Sequence, residues 1–369
     1  MRVLTLLLMG GEEAVAVHNV HGNILSGLAD IEKSDVVFIS EASGNTSVFP
    51  LGTEIKYLGK NKKILTRGHK FRFFLSRRRL EADVGSFLSG YDLVITDGLL
   101  TTALIAKQVD KYGLKSLTIV HGEQTKIRPL VSSRIPYLVG GSFYYSCVSG
   151  SVKQSLLNNV ELPEKRVRAI VSGLDDKLLE MRRFDRAESR VFFGLSSEDF
   201  VIGCVARVER HKGIIDLLKA FSKFISKGYK AKLLLIGDGS ILKEVDLLSR
   251  ELGVDASVLL PGYLNYADRY LLAMDVFVLL SKTEGLGLSV LEAQFSGLPV
   301  MLSDIPAFRE IQKLSVSDSC SVIEGEQDLI ARWIALHENP AEECNYDLSW
   351  CSVDLMKNSY KSLVSSIMQ

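Results

Sequence analysis

Apolar segments alternate with helical patterns along the chain, in two successive series. In the first series the predicted strands are 3–9, 35–40, 53–58, 91–96, 116–120, 143–148 and 168–171. In the second series they are 200–206, 231–237, 258–260, 275–280 and 298–302. Most of these strands are separated by helical patterns of about ten or more residues. This alternation is typical of βαβ units, in which helices cover both faces of a parallel sheet.

A polar, charge-rich stretch at 173–199, without a clear strand pattern, separates the two series. A chain of 369 residues suits two domains, because single cores rarely grow beyond about 250–300 residues. We therefore predict an N-terminal domain at 1–172, a linker at 173–199 and a C-terminal domain at 200–351. The pattern indicates two Rossmann-like domains facing each other, and ligands of such sheets bind outside the carboxyl ends of the strands.

The stretch 282–297, KTEGLGLSVLEAQFSG, is a glycine-rich turn that leads into a helical pattern between two predicted strands. Free N–H groups at a helix start favour a negatively charged ligand, and glycines let it approach the main chain. The carboxylates of Glu284 and Glu292 are acceptors for sugar or ribose hydroxyls. The stretch therefore predicts a site for a phosphate-bearing ligand. The alternative is a capping acid followed by one solvated helix acid.

Three more loops at carboxyl ends of predicted strands carry candidate ligand contacts. Arg207 and Lys212 lie five residues apart across a strand-to-helix turn, so that both cations can reach one anion. The second loop is a compact turn beginning at Gly237, and the third, Gly262-Tyr263, could face a planar base. Each loop alone could equally be an ordinary surface turn. Their convergence at one sheet edge favours a ligand site.

Several function classes lose support because their motifs are absent from the sequence. The first strand is not followed by Gly-x-Gly-x-x-Gly, and there is no Walker-type phosphate loop, which disfavours hydride transfer and ATP hydrolysis. The five cysteines are scattered, without C-x-x-C spacing, and no metal-ligand cluster is evident, so we predict no metal site and a reducing compartment. The opening MRVLTLLLMGGEE suits a buried strand better than a signal peptide, and no transmembrane run is found.

Taken together, these motifs resemble those of the family 4 retaining glycosyltransferases, which use nucleotide-sugar donors. The resemblance rests on Arg207 with Lys212-Gly213, Gly237-Asp238-Gly239, Pro261-Gly262, Glu284 with Glu292, and Gly297-Leu298-Pro299-Val300. It is strong over about 200–311 and weaker but collinear elsewhere. It implies an α/β protein of the GT-B fold, with two facing Rossmann-like domains, parallel sheets and an interdomain cleft. The closing helix 352–369 would then complete the N-terminal domain.

The resemblance implies a role for each matching residue. The residues of the reacting centre would be His121, Arg207, Lys212 and Glu284. Arg207 and Lys212 would neutralise the departing diphosphate, an electrostatic effect that is usually the largest catalytic contribution. His121 would lie over the sugar, although a structural histidine at a strand end is the alternative. The residues that hold sugar, ribose, base or diphosphate would be Gly10, Gly11, Gly237, Gly262, Tyr263, Gly285, Leu286, Gly287, Leu288 and Glu292. The family needs no metal or other cofactor.

A basic stretch at 60–79 has no counterpart among these motifs. Residues 1–172 carry 22 Lys/Arg and 15 Asp/Glu, a net charge of +7, and the rest of the chain carries 22 and 29, a net of −7. The basic excess includes Lys62, Lys63, Arg67, Lys70, Arg72, Arg77, Arg78 and Arg79, with large apolar residues among them. This composition suits a surface that rests on anionic lipid or binds an anionic acceptor, although a merely solvated helix is the alternative. Neutral overall charge argues against nucleic acid.

The sequence thus predicts a retaining glycosyltransferase that moves a hexose or N-acetylhexosamine from a nucleotide sugar to a glycan or lipid-linked acceptor. Bacterial surface polysaccharide or lipopolysaccharide biosynthesis is the expected setting. The expected location is the cytoplasm, including the cytoplasmic face of the inner membrane. The alternative is a nucleotide-sugar-binding regulator or partner protein that does not transfer. A third hypothesis is an enzyme of the same fold, such as a nucleotide-sugar epimerase.

Overall fold

The chain divides into two units, each built on one parallel sheet. A computed structural model describes residues 1–8, 15–28, 31–39, 47–59, 70–341 and 343–369, with the backbone alone for 15–16 and 70–77. The first unit contains Met1–Gly173 and Val353–Gln369, and the second contains Leu174–Ser352. The last helix therefore belongs with the first unit, although it follows the second along the chain.

The first unit has a seven-stranded parallel sheet in the order β3-β2-β1-β4-β5-β6-β7. Its strands are β1 Arg2–Leu7, β2 Lys33–Phe38, β3 Glu54–Tyr57, β4 Leu93–Thr96, β5 Lys115–Val120, β6 Phe143–Cys147 and β7 Val167–Ala169. Its helices are α1 Val15–Gly27, α2 Lys70–Phe87, α3 Leu99–Tyr112, α4 Pro129–Ser132, α5 Ile135–Leu138 and α6 Gly150–Asn159. The strands β1 and β4 are almost wholly buried and apolar, as expected where helices cover both faces of a sheet.

The second unit has a six-stranded parallel sheet in the order β10-β9-β8-β11-β12-β13. Its strands are β8 Val201–Val205, β9 Lys232–Ile236, β10 Val258–Gly262, β11 Val276–Leu279, β12 Val300–Ser303 and β13 Cys320–Ile323. Its helices are α7 Asp176–Arg182, α8 Arg186–Phe192, α9 Ile214–Ser226, α10 Leu242–Glu251, α11 Leu288–Phe295, α12 Pro306–Ser315 and α13 Glu326–Glu338. In both sheets the strand order reverses next to the first strand, as in dinucleotide-binding folds.

The segment 173–199, predicted as a linker, lies within the second unit from Leu174 onward and contains α7 and α8. Helix α8 begins with a capping box, in which the Asp185 side chain accepts from the backbone N–H of Glu188 and the Glu188 side chain accepts from that of Asp185. The Asp-x-x-Glu spacing is a helix-start signal within a stretch that lacks a strand pattern. The stretch is therefore structured.

The last helix, α14 Val353–Met368, packs in the first unit against α1. A Cβ atom added to Gly27 of α1 would lie 2.7 Å from Cβ of Lys357, so the two helices approach at a position where only glycine fits. The Tyr360 side chain is buried, and the Ser146 hydroxyl of β6 donates to its phenol oxygen at 3.0 Å. The helix therefore contributes to the core of the first unit.

Candidate functional site

The candidate site lies in the second unit, at the carboxyl ends of β8 and β11. These neighbouring strands flank the point at which the strand order reverses, where open α/β sheets bind their ligands. The turn after β8 contacts the segment after β11, because Lys282 N–H donates to the carbonyl oxygen of His211 at 2.7 Å. The two loops that carry the predicted cations and the predicted carboxylate are thus joined through their backbones.

Gly213 fixes the distance between these two loops. It adopts a left-handed conformation with φ of 71°, and a Cβ atom there would lie 2.0 Å from the carbonyl oxygen of Leu280. Neither the conformation nor the space suits a residue with a side chain. The chain then turns directly into α9. Glycine at this position therefore lets the β8 loop press against the end of β11.

Lys212 and Glu284 form an ion pair within this contact. Lys212 Nζ lies 2.5 Å from Glu284 Oε1, and the two side chains are only 14% and 11% exposed. The Ser281 hydroxyl also donates to Glu284 Oε1, at 2.8 Å. Among the residues that the structure describes, Glu284 Oε2 has no hydrogen-bond partner. Glu284 Oε2 is therefore available to accept a hydrogen bond from a hydroxyl group of a ligand. The ammonium group of Lys212 lies beside it and can bind an anionic group of the same ligand.

Arg207 lies in the same loop, and its side chain is exposed. No ion pair of Arg207 occurs in the described part of the chain. The loop is tied to the next one by Glu209, whose carboxylate accepts from the N–H of Ser240 at 3.0 Å and from its hydroxyl at 2.7 Å. These two hydrogen bonds from Ser240 hold the pKa of Glu209 below its usual value. Arg207 therefore projects from a backbone that is held in place on both sides.

The turn at Gly237 contacts two neighbouring loops, the one that begins at Ala206 and the one at Gly262. Its φ is 146°, and a Cβ atom would lie 1.9 Å from the carbonyl oxygen of Ala206. Gly237 N–H donates to the carbonyl oxygen of Gly262 at 2.9 Å, which connects the third predicted loop. The Tyr263 side chain beside it is 43% exposed. The structure thus brings the loops at Arg207, Gly237 and Gly262 together, as their placement at strand ends predicted.

The glycine-rich turn ends at Gly287, which adopts a φ of 92° and precedes α11. A Cβ atom at Gly287 would meet the Phe308 ring at 3.0 Å, so the turn packs closely on α12. The Leu286 side chain is buried, which leaves only its backbone for a ligand. The helix start at Leu288 is therefore positioned by glycine and by apolar packing.

Glu292 lies farther along α11, where that helix packs against the helical turn 267–273. Burial and the nearby carboxylate of Asp268 raise the pKa of Glu292 to about 7, and Arg182 acts in the opposite direction. Arg182 is paired with Asp268 at 2.6 Å, and its guanidinium stacks 4.7 Å from the centre of the Tyr266 ring. Glu292 is thus a carboxyl group poised to titrate near neutral pH.

His121 follows β5 in the first unit, where it is half-buried. Its Nε2 atom lies 3.3 Å from Nε2 of His21, a buried residue of α1. Other predicted residues of this unit lie outside the described residues, namely Gly10, Gly11, Lys62, Lys63 and Arg67 and the side chains of Lys70, Arg72 and Arg77. Arg78 and Arg79 are exposed on α2.

Four residues of this geometry were not singled out from the sequence. They are His21, Arg182, Asp268 and Ser281. Ser281 could have been found, because it directly precedes the glycine-rich stretch. The other three lie far from the motifs along the chain, and nothing in their local sequence indicates a polar partner. Among the described residues, no group of three or more His, Cys, Asp or Glu side chains could hold a metal ion.

The second unit matches a known protein family. Residues 185–346 fit the family model described as glycosyl transferases group 1. The match covers the loops at Arg207, Gly237, Gly262 and Glu284 and ends before α14. The narrower assignment to family 4 stays a prediction.

Curated relatives agree with this match, and a solved structure shares the fold. An N-acetyl-alpha-D-glucosaminyl L-malate synthase from Bacillus anthracis is 28% identical over 57% of this chain and 55% of its own length. An O-antigen biosynthesis glycosyltransferase, WclY from Escherichia coli, is 24% identical over 62% of this chain and 66% of its own. The crystal structure of Anabaena Alr3699/HepE in complex with UDP-glucose has a TM-score of 0.80 at 16% identity, covering 99% of this chain and 100% of that one.

These comparisons confirm the predicted fold class, with two Rossmann-like domains of parallel sheet, and show glycosyltransferases among the relatives. The chain spans only about half to two thirds of the length of the two curated relatives. Within the described ranges, no helix combines the length and the apolar character needed to cross a bilayer.

Proposed function

We propose that this protein is a retaining glycosyltransferase that moves a hexose or N-acetylhexosamine from a nucleotide sugar to a glycan or lipid-linked acceptor. The observation that carries the proposal is the Lys212–Glu284 pair, held by Gly213 and Ser281 at the reversal point of the sheet. A nucleotide sugar has a diphosphate next to its sugar, so the Lys212 cation suits the diphosphate and the neighbouring Glu284 carboxylate oxygen suits a sugar hydroxyl. The match of residues 185–346 to a glycosyltransferase family supports the same function.

In this mechanism Lys212 and Arg207 stabilise the diphosphate as its bond to the sugar breaks, because negative charge grows on the leaving oxygen. Glu284 accepts a hydrogen bond from a hydroxyl group of the transferred sugar through Oε2. The acceptor hydroxyl attacks the face that the diphosphate leaves, and its proton passes to the departing phosphate oxygen. Glu292 binds the ribose hydroxyls. None of these steps is assigned to a metal ion or other cofactor.

Thermal unfolding in the presence of nucleotide sugars tests the donor site. UDP-glucose is the first probe, since the Anabaena protein binds it, followed by UDP-N-acetylglucosamine and sugars of other bases. At a concentration 100 times Kd, a donor should stabilise the folded protein by about 2.7 kcal/mol. We expect Lys212→Ala and Glu284→Ala to abolish the shift, each measured against its own ligand-free Tm.

Arg210→Ala is the matched control, because it removes a cation from the same loop. Arg210 is 72% exposed and is paired with Glu244, away from Glu284. This variant should keep the full thermal shift. A shift that survives in both Lys212→Ala and Glu284→Ala would show that the site has been misplaced.

Slow hydrolysis of the donor without acceptor separates transfer from binding alone. A transferase should release nucleotide and sugar, whereas a nucleotide-sugar-binding regulator should show the thermal shift and release neither. An epimerase should give a changed sugar without acceptor dependence. Donor binding without any released nucleotide, with or without a panel of glycan acceptors, would replace the proposed activity with the regulator function.

The first unit is proposed to bind the acceptor and to contact anionic lipid at the cytoplasmic face of a bacterial inner membrane. Arg78 and Arg79 are exposed on α2, and each basic residue near an anionic surface contributes about 1 kcal/mol. We expect the protein to pellet with phosphatidylglycerol vesicles. Reversal of Arg77, Arg78 and Arg79 to Glu should abolish pelleting at physiological salt.

The control for this experiment reverses exposed lysines elsewhere in the first unit, at Lys107, Lys111 and Lys126. This control variant changes the net charge by the same amount as the Arg-reversed variant. If the lipid contact is local to α2, the control variant should still pellet with the vesicles. Equal loss in both variants would indicate a general charge effect. Equal pelleting by the Arg-reversed variant and the unmodified protein would remove the membrane proposal and leave an anionic acceptor as the partner of this stretch.

A further inference from the structure

In the first unit His121, which the motifs indicated, lies next to a second histidine, His21, which they did not. His21 lies on α1 and is 1% exposed, and its ring faces that of His121, with centroids 5.5 Å apart. The Nε2 atoms of the two rings are 3.3 Å apart, close enough for a hydrogen bond. The only other histidine in this part of α1, His18, is also buried and packs edge-on against Phe38.

Both rings of the pair are neutral at physiological pH. Burial lowers the pKa of His121 to about 4. Burial also holds the pKa of His21 well below its usual value, and the neighbouring His121 and His18 act in the same direction. A contact between two neutral imidazoles is a hydrogen bond only if one Nε2 atom carries a proton and the other does not. The pair therefore couples the tautomers of the two rings.

The far side of the His21 ring decides which atom is the donor. Nδ1 of His21 is buried and has no hydrogen-bond partner within the described part of the chain. If the proton were on Nδ1, the protein would bury an N–H group without an acceptor, which is rarer in native structures than an acceptor without a donor. The proton of His21 is therefore on Nε2, from which it is donated to His121.

His121 must then carry its own proton on Nδ1. Among the residues that the structure describes, that atom has no hydrogen-bond partner. A neutral imidazole in this state offers one N–H donor on the side away from His21. Such a donor suits a sugar hydroxyl or ring oxygen, whereas the other tautomer would offer only an acceptor.

We propose that His21 is a positioning residue that fixes His121 as the Nδ1–H tautomer, so that His121 presents a hydrogen-bond donor to a hydroxyl-bearing ligand of the first unit at the carboxyl end of β5. The tautomer assignment stands on the histidine pair alone, and the identity of the ligand rests on the proposed function. His21 would act through His121 without touching the substrate.

Nitrogen-15 NMR of histidine-labelled protein tests the tautomer directly, without any activity assay. The chain has six histidines, and the spectrum of His121→Gln identifies the signals of His121. We expect a protonated Nδ1 and an unprotonated Nε2 in His121 at pH 7. A His121 ring that is protonated on Nε2, or that averages between the two tautomers, would overturn the assignment.

Two substitutions of His21 then test whether the tautomer matters for transfer. In His21→Gln the side-chain amide places an N–H donor near the position of Nε2, whereas His21→Leu keeps bulk and removes the donor. We expect His21→Leu to lose the fixed tautomer and to lower kcat about tenfold, the usual effect of one hydrogen bond, with little change in KM for the donor. His21→Gln should retain both the fixed tautomer of His121 and the kcat of the unmodified protein. His18→Leu controls for removal of a buried histidine from α1 and should leave the His121 tautomer unchanged.

The outcomes separate this inference from the proposed function. The expected NMR spectrum without any transferase activity would contradict the proposed function and leave the tautomer intact. Unchanged kcat in a folded His21→Leu whose His121 tautomer has been lost would overturn the positioning role. Loss of activity in His21→Gln with the tautomer retained would also overturn it, because the donor would not have been the feature that matters.

Discussion

The two units bury polar side chains in opposite ways. In the second unit Lys212 and Glu284 form an ion pair, with Nζ and Oε1 2.5 Å apart. In the first unit His21 and His121 lose their charge, since burial lowers the pKa of both rings. Burying a charge is costly unless a partner compensates, and histidine avoids the cost by releasing its proton. The difference teaches that a buried polar pair is stabilised by charge compensation in the second unit and by loss of charge in the first.

The same contrast applies to the backbone. The charged pair depends on glycines that press against neighbouring carbonyl groups, at Gly213 and Gly237. The histidine pair joins a helix side chain to a residue after a strand, and the glycine beside His21, Gly22, packs against the carbonyl group of Val48 within the first unit. A change in the backbone of the β8 loop should therefore break one pair and spare the other.

The largest effect is expected for Gly213→Ala. The new Cβ atom would meet Leu280 O at 2.0 Å in a left-handed conformation, so the loop must move. We expect a loss of about 2–5 kcal/mol in the free energy of unfolding, from conformational strain together with overpacking. Lys212 should separate from Glu284, and the thermal shift with a nucleotide sugar should disappear. Denaturant unfolding and thermal shift measure the two effects.

Gly253→Ala isolates the strain from the collision. Gly253 has nearly the same φ, 69°, but nothing lies within 4 Å of an added Cβ atom. This variant should lose only about 1–2 kcal/mol and should keep the donor shift. The His121 tautomer should be unchanged in both variants. A change in the His121 signals of Gly213→Ala would mean that the two pairs are not independent.

A smaller effect concerns pH. Burial raises the pKa of Glu292 to about 7, so the folded state binds a proton that the unfolded state has released between about pH 4.5 and 7. Stability contributed by Glu292 is therefore present below the unfolded pKa and is lost as the pH rises through 7. We expect the difference in unfolding free energy between the unmodified protein and Glu292→Gln to fall by about 1–2 kcal/mol between pH 5 and pH 8, since this half-buried group is partly solvated.

The histidine pair changes stability in the opposite direction, because its pKa values are lowered and stability rises with pH from about 4 to 6.5. The two effects partly cancel in the unmodified protein, which is why the difference from Glu292→Gln is the quantity to measure. The same experiment sharpens the ribose assignment, because affinity for the donor should increase through pH 7 only where Glu292 is present. Equal pH profiles for the two proteins would contradict both roles.

The motif loops could be predicted from the sequence because strand ends of a parallel sheet converge. The predicted site residues of the second unit lie at the ends of predicted strands or just after them, and the structure joins their loops. They are Arg207, Lys212, Gly237, Gly262 and Glu284. What could not be predicted is which groups pair with which. The ion pair between Lys212 and Glu284 depends on how far Gly213 lets one loop approach another, and this distance is not encoded in local spacing.

Elements without a strong pattern were also missed. The strand β13 and the helices α7 and α8 carry mixed polar and apolar residues, and tertiary packing decides their structure. Asp268 and Arg182 meet across 86 positions of the chain to flank Glu292. His21 lies among the apolar positions of α1, where the sequence alone does not distinguish it from an ordinary core residue. Its role becomes visible only when the structure places it next to His121.

The path of α14 has a consequence for synthesis of the protein. A ribosome completes the seven strands of the first unit early, but the helix that packs against α1 and covers β6 emerges only after the entire second unit has been translated. Until then the first unit exposes the apolar surface that Tyr360, Val364 and Ile367 later cover. The first unit therefore lacks part of its packing until α14 has been translated, and docking of α14 onto α1 joins segments that lie on opposite sides of the second unit along the chain.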